Sequence, residues 1–236
     1  LKKMSRPEIP APNPPPWPIG REIIYLLEYA RLPYGTNLSV KINVRDPKKN
    51  GEWKKQKPLV LSHSLISEIP DAADRDILGR LVGVHRGRWS YGLDDSTYQF
   101  QPTRQELLRL LPLFAGTGRL YFRTPELEEG RPIQWDAAEP WEFCIEARPD
   151  ENGRQYEICG FFRRADQRLG LGDVEYIFEE GILIKGDRIA PFRGSYPWIS
   201  FFRKEGSFFV PYSDADQWLE TMLAIPSVPR LDLPEA

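Results

Sequence analysis

Two histidines, two cysteines and two methionines in 236 residues leave little from which to assemble a redox or metal centre. Cys144 and Cys159 are too few for a disulfide scaffold, and no C-x-x-C or H-E-x-x-H spacing gathers ligands for zinc. No apolar run approaches the ~18 residues of a membrane-spanning helix, and no signal-peptide pattern opens the chain. An excess of either charge is missing too. A formal net charge of −2 excludes a uniformly basic nucleic-acid binder but permits a local basic patch. The expected setting is a reducing cytoplasm, with no membrane partner.

Catalytic signatures are equally sparse. A phosphate cradle needs glycines, then a lysine for the phosphates and a Ser/Thr for magnesium. "AGTGRL" and "LGLGDVEY" have the glycines without the Gly-Lys-Ser/Thr ending. No G-x-S-x-G elbow occurs. His85, Ser90, Asp94, Asp95 and Ser96 crowd one polar stretch, "HRGRWSYGLDDS", which reads as a connecting loop rather than a triad. Glu179 and Glu180 are adjacent on a predicted strand and so point to opposite faces. No catalytic, cofactor-binding or metal-ligating residue is assigned, and the chain is not expected to be an enzyme by itself.

What the chain has in quantity is proline, 23 in all, densest in "RPEIPAPNPPPWPIG" (residues 6–20). This extended lead either presents Trp17 to a partner or packs across its own domain with Trp17 as anchor. Next, "GREIIYLLEYARL" places Ile23, Leu26, Leu27 and Ala30 at helical spacing, which predicts a helix. "TNLSVKINVRD" alternates as a strand, with "KPLVLSH" as its antiparallel mate. "IPDAADRDILGRLVGV" predicts a helix started by Asp71 and presenting Ile77, Leu78 and Leu81. "PTRQELLRLLPLFAG" predicts another, opened by a Thr103–Glu106 capping box and burying Leu107, Leu110, Leu111 and Phe114.

From Arg119 onward short strands alternate with turn signals, and "SDADQWLETMLAIP" predicts a last helix with Asp216 in the box position and Ala215, Trp218, Leu219 and Met222 buried. In "WEFCIEARPDENGRQYEICGFFRR" the Asn152-Gly153 pair predicts a two-residue type I′ turn. That register opposes Arg148 to Glu157, Glu142 to Arg163 and Phe143 to Phe162, and leaves Cys144 and Cys159 diagonal, too offset to bridge. The expected class is α+β: N-terminal helices with a β-hairpin, then an antiparallel meander closed by a C-terminal helix. The expected organisation is an arm over 1–19, a helical and hairpin part over 20–117, and a β-rich part over 118–236.

Between the first two strands lies "VRDPKKNGEWKKQKPLVL". Residues 40–60 hold seven cations against the two anions Asp46 and Glu52. Lys48, Lys49, Lys54, Lys55 and Lys57 are candidate phosphate contacts, and Trp53 a candidate base-stacking residue. The bland alternative is a solvated hairpin whose lysines discourage edge pairing. Arg163, Arg164 and Arg168 form a weaker cluster, with Arg163 expected to pair with Glu142.

"ELLRLLPLFAGTGRLYFRT", the strands after it, "YIFEEGILIKGDRIAPF" and "FFVPYSDADQWLETMLAIPSVPRLDLPEA" together resemble the region ahead of the motor in bacterial SWI/SNF-type helicases of superfamily two. The resemblance is loose from Pro58 and best from Glu106 to Ala236, and it rests on hydrophobic patterns. It implies an accessory region of a DNA translocase, located in the cytoplasm at the nucleoid. Its partners would be the ATPase motor of the same polypeptide and duplex DNA, with ATP and magnesium belonging to the motor alone. It also implies a polypeptide that runs on past Ala236; Leu1, an unusual first residue, points to an alternative start codon or a trimmed start. The competing expectation is a protein-interaction module without DNA binding, with Trp17 as its contact.

Overall fold

The computed structural model describes residues 17–32, 35–88 and 99–233. The chain divides into two compact units, Leu1–Ile23 with Ile42–Tyr98, and Ile24–Lys41 with Gln99–Ala236. The elements begin with strands β1 (Glu22–Leu32) and β2 (Gly35–Arg45), the short β3 (Lys57–Pro58), helices α1 (His63–Glu68) and α2 (Ala72–Arg88), and β4 (Gln99–Phe100). Helix α3 (Arg104–Gly116) leads into β5 (Leu120–Arg123), β6 (Arg131–Pro132) and β7 (Gln134–Trp135). Strands β8 (Trp141–Pro149), β9 (Gln155–Arg164), β10 (Gln167–Gly170), β11 (Tyr176–Phe178), β12 (Ile182–Lys185) and β13 (Arg188–Arg193) follow. Last come α4 (Tyr196–Glu205), β14 (Phe208–Pro211), α5 (Ala215–Leu223) and β15 (Arg230–Asp232). The class is α+β, and both sheets contain parallel as well as antiparallel pairs.

In the first unit, β3 pairs antiparallel with the end of β2, Asn43 opposite Pro58 and Val44 opposite Lys57. Helix α2 starts as its sequence predicts: Asp71 Oδ1 accepts from the backbone N–H of Ala73 and Asp74 at 2.7 and 3.1 Å. Its Ile77, Leu78 and Leu81 are buried. His63 and His85 fall on α1 and α2. The arm as far as Pro16 and the stretch 89–98, with Ser90, Asp94, Asp95 and Ser96, lie outside the described residues.

The helix expected at "GREIIYLLEYARL" is overturned: the segment is strand β1. Ile23, at the end of a first-unit segment, and Ile24, Tyr25, Leu26 and Leu27, of the second unit, are all buried in succession, the mark of a strand covered on both faces. β1 lies beside β2 and pairs in parallel with β5, Tyr25 opposite Leu120 and Glu28 opposite Arg123. A continuous apolar run contains the i, i+3, i+4 positions as a subset, so helical spacing alone cannot separate the two. Helix α3 follows its prediction: the Thr103–Glu106 box is formed and Leu107, Leu110, Leu111 and Phe114 are buried. Phe114 stacks on Tyr25 of β1, ring centroids 4.8 Å apart.

The larger sheet runs β10-β9-β8-β13-β12-β11, with β14 against β9, β15 against β8 and β7 against β13. The β8–β9 register is the predicted one, Glu142 opposite Arg163, Phe143 opposite Phe162 and Arg148 opposite Glu157. Its turn is different. Gly153 alone takes positive φ, at 62°, and the Gly153 N–H donates to the Asp150 carbonyl. The Asp150 carboxylate accepts from the N–H groups of Arg154 and Gln155 at 2.9 and 3.3 Å, closing a longer loop in the same register.

Helix α4, not expected, packs Ile199 and Phe202 into a core with Phe143, Phe162 and Phe192. Helix α5 lacks the expected box: Asp214 is its N-cap without a side-chain cap, and Ser213 Oγ bonds to Asp214 instead. Of its four expected core residues only Met222 is fully buried.

Candidate nucleic-acid interface

The lysine-rich segment belongs to the first unit and forms an ordered hairpin tip. Pro47 and Trp53 make an antiparallel bridge beyond the Val44–Lys57 pair, so Arg45 and Asp46 face Lys54, Lys55 and Gln56. One extra residue on the returning side is a bulge, which re-aims the side chains around it. The Lys48 N–H donates to the Glu52 carbonyl at 2.6 Å and the Lys54 N–H to the Asp46 carbonyl at 2.9 Å. Gly51, at φ 86°, turns the chain, and Asn50 Oδ1 accepts from the Glu52 N–H at 3.2 Å. The tip therefore holds its shape chiefly through backbone bonds, supported by the Asn50 side chain.

Two stacks brace it from below. Arg45 lies 4.2 Å from the Trp53 ring centroid and donates two bonds to Glu22 Oε2 at 3.0 and 2.8 Å. Arg21 lies 5.6 Å from the Trp17 ring centroid and donates to both Asp46 oxygens at 2.7 and 3.3 Å. The Trp17 indole N–H also donates to the Arg21 carbonyl at 3.4 Å. Each tryptophan thus carries an arginine, and each arginine is tied to a carboxylate, within one unit. The Arg21 hydrogen bond holds the Asp46 carboxyl below its usual range, with Lys54 and Lys57 adding to the same effect. A paired, ionised Asp46 is what fixes the base of the tip.

Lys48, Lys49, Lys54, Lys55 and Lys57 are all exposed, as expected for solvated cations. Lys48 bonds Glu52 at 3.0 Å, and that bond, helped by Asn50, holds the Glu52 carboxyl below its usual range. Among the described residues no carboxylate lies within salt-bridge reach of Lys49, Lys54 or Lys57. Arg45 and Lys41, counted with the lysines in the sequence, are spoken for: Arg45 by Glu22, and Lys41, in the second unit, by Glu28 at 2.6 Å. Sequence reasoning missed Arg21, Glu22, Arg45 and Asp46 as supports. The signal was the matched Arg-acid pairs, Arg21-Glu22 and Arg45-Asp46, on neighbouring strands.

The second basic cluster is consumed internally. Arg163 pairs with Asp232 and not with Glu142, whose partner is Arg230 at 4.0 Å. Both partners come from β15, which pairs with β8 and which the sequence pattern did not announce. Arg164 pairs with Asp136 at 2.6 Å over the Trp141 ring, and Arg168 with Glu146 at 2.6 Å over the Phe161 ring. Cys144 is buried and Cys159 half-buried, both reduced; Cys144 faces Phe161 and Cys159 faces Glu146, and burial pushes both thiols up.

A cleft of about 410 Å³ is lined by Tyr29, Tyr176, Tyr196, Glu175, Arg203 and Lys204. Glu175 is bound to Arg131 at 2.6 Å, Arg203 donates to the Val174 and Glu175 carbonyls, and Lys204 meets Glu205 at 2.8 Å. Among the described residues no group of three or more His, Cys, Asp or Glu side chains gathers around a metal position. Among the described residues no helix is long and apolar enough to cross a membrane. Searches against family models, curated proteins and solved structures give no match to this chain.

Glu179 and Glu180 sit past the end of β11 in a turn, not on the strand as expected, with Glu179 exposed and Glu180 half-buried. Burial pushes the Glu180 carboxyl up, and its Oε2 has no hydrogen-bond partner. A carboxyl raised in the folded state favours the protonated fold. Its stabilising effect is complete below the unfolded value and is lost as pH rises through the folded value. Glu180→Gln keeps an oxygen for the Leu38 N–H, now 3.4 Å from Oε1, and removes the charge. The variant is expected to melt higher than the parent at neutral pH, with the gain vanishing in acid. A gain that is the same across a thermal series from about pH 4 to 8 would rule this out.

Proposed function

We propose that this chain is a non-catalytic accessory region that holds nucleic acid through the phosphate backbone, using the hairpin tip of the first unit. The observation that carries the reading is five exposed lysines on a tip whose backbone and base are fixed by Arg21–Asp46 and Arg45–Glu22. A backbone that is already ordered loses less freedom on binding, although each lysine side chain it carries must still be ordered. The resemblance of residues 106–236 to the region ahead of SWI/SNF-type motors supplies the context: a DNA translocase on the same polypeptide, with ATP and magnesium handled by the motor. The interaction-module reading would rest on Trp17, which is half-buried and has Arg21 5.6 Å from its ring centroid.

The chain is expected to bind DNA without sequence preference, with a dissociation constant on the order of 10⁻⁴–10⁻⁶ M at physiological salt. Titration of a labelled duplex at several salt concentrations tests it. Absence of binding at low salt would remove the reading.

A further inference from the structure

We infer that the hairpin discriminates nucleic acid with an unpaired base from closed duplex, and that Trp53 makes the distinction. This rests on the reading of the tip as a nucleic-acid contact. Trp53 is 38% exposed, whereas Ile42 and Val44 of β2 and Leu59, in the same unit, are buried. Its backbone is fixed by the bridge to Pro47, and its ring by the Arg45 guanidinium at 4.2 Å, itself fastened to Glu22. The indole is thus oriented before any ligand arrives. Lys48 and Lys49 precede it and Lys54, Lys55 and Lys57 follow it, all exposed, so both arms of the hairpin that carries Trp53 supply cations.

Within a duplex each base already has neighbours on both faces, and lysines meet only the backbone. An unpaired base offers a face, and the Arg45–Trp53 pile extends by one layer. Base–aromatic stacking is sequence-tolerant and multiplies affinity by roughly fivefold to 100-fold. Electrostatics works in the opposite direction, because a duplex releases more counterions per phosphate contacted than a single strand does. A preference for single strands at a lysine-rich tip therefore has to come from stacking.

The test compares a labelled single strand with a dumbbell duplex that has no free ends, by fluorescence anisotropy at one salt concentration. The intact chain is expected to bind the single strand more tightly. Trp53→Leu should lower the single-strand to dumbbell affinity ratio by about fivefold to 100-fold. Trp53→Tyr should restore most of the ratio, which a merely structural tryptophan would not explain. Equal affinity of the intact chain for both ligands overturns the inference while leaving the lysine contact standing. So does a Trp53→Leu loss that is the same for both ligands. Failure of the intact chain to bind either ligand at low salt instead overturns the underlying reading.

Discussion

Phe143→Ala is expected to destabilise the second unit by about 3–5 kcal/mol, the usual cost of removing a buried aromatic ring. Phe143 is 1% exposed on β8, edge-on to Phe162 at 5.8 Å and tilted against Phe202 of α4 at 6.2 Å. The backbone around it is shaped to the ring. A Cβ at Gly160 would stand 2.9 Å from Phe143 Cζ and 2.9 Å from Phe202 Cγ. A Cβ at Gly194, whose φ is 139°, would stand 2.6 Å from Phe143 Cβ. Gly160→Ala should therefore be destabilising alone, yet cost less in the Phe143→Ala background, where part of the space it needs is vacant. The two changes should be coupled by roughly 0.5–3 kcal/mol, the range for side chains in contact. Urea unfolding of the four proteins in the cycle measures this. Strict additivity would mean that Gly160 is glycine for some reason other than that ring.

The same region shows what a sequence can and cannot disclose. The β8–β9 register was legible because alternation places Phe143 against Phe162 and opposite charges at Arg148 and Glu157, and any one-residue slip breaks both patterns. The turn type was not, because it depends on the Asp150 carboxylate capturing two N–H groups, a local competition that the Asn152-Gly153 dipeptide does not reveal. β1 was misread because a strand covered on both faces loses its alternation. Helix α4 was missed because "YPWISFFRKE" is rich in aromatic residues, although Pro197 in its first turn and Gly206 after its end are helix signals. The lysine tip was visible as a charge run between two strands. Its bracing was not, since Glu22 lies 23 residues from Arg45 and Arg21 lies 25 from Asp46.

That bracing sets the terms of the other large effect. Changing Lys48, Lys49, Lys54, Lys55 and Lys57 together to alanine is expected to abolish measurable DNA binding at physiological salt while leaving the melting temperature nearly unchanged. Exposed side chains contribute little to stability, and the tip is fixed by Arg21, Arg45 and backbone bonds that the substitutions spare. Each phosphate contact on duplex DNA adds about 0.9 to the slope of log affinity against log salt. Five contacts would cost the parent roughly 10²–10³ in affinity between 50 and 200 mM salt, and the variant should show a much flatter line. Glu52→Gln should move affinity the other way, since it removes a negative group and releases Lys48 from its 3.0 Å bond. Arg45→Ala separates support from contact: it deletes the Trp53 stack and the Glu22 bonds, so it should loosen the tip and lower affinity with little change of slope. A pentuple variant with the parent's affinity and the parent's slope would leave the lysines as solvated edge protection and place any DNA contact elsewhere on the chain.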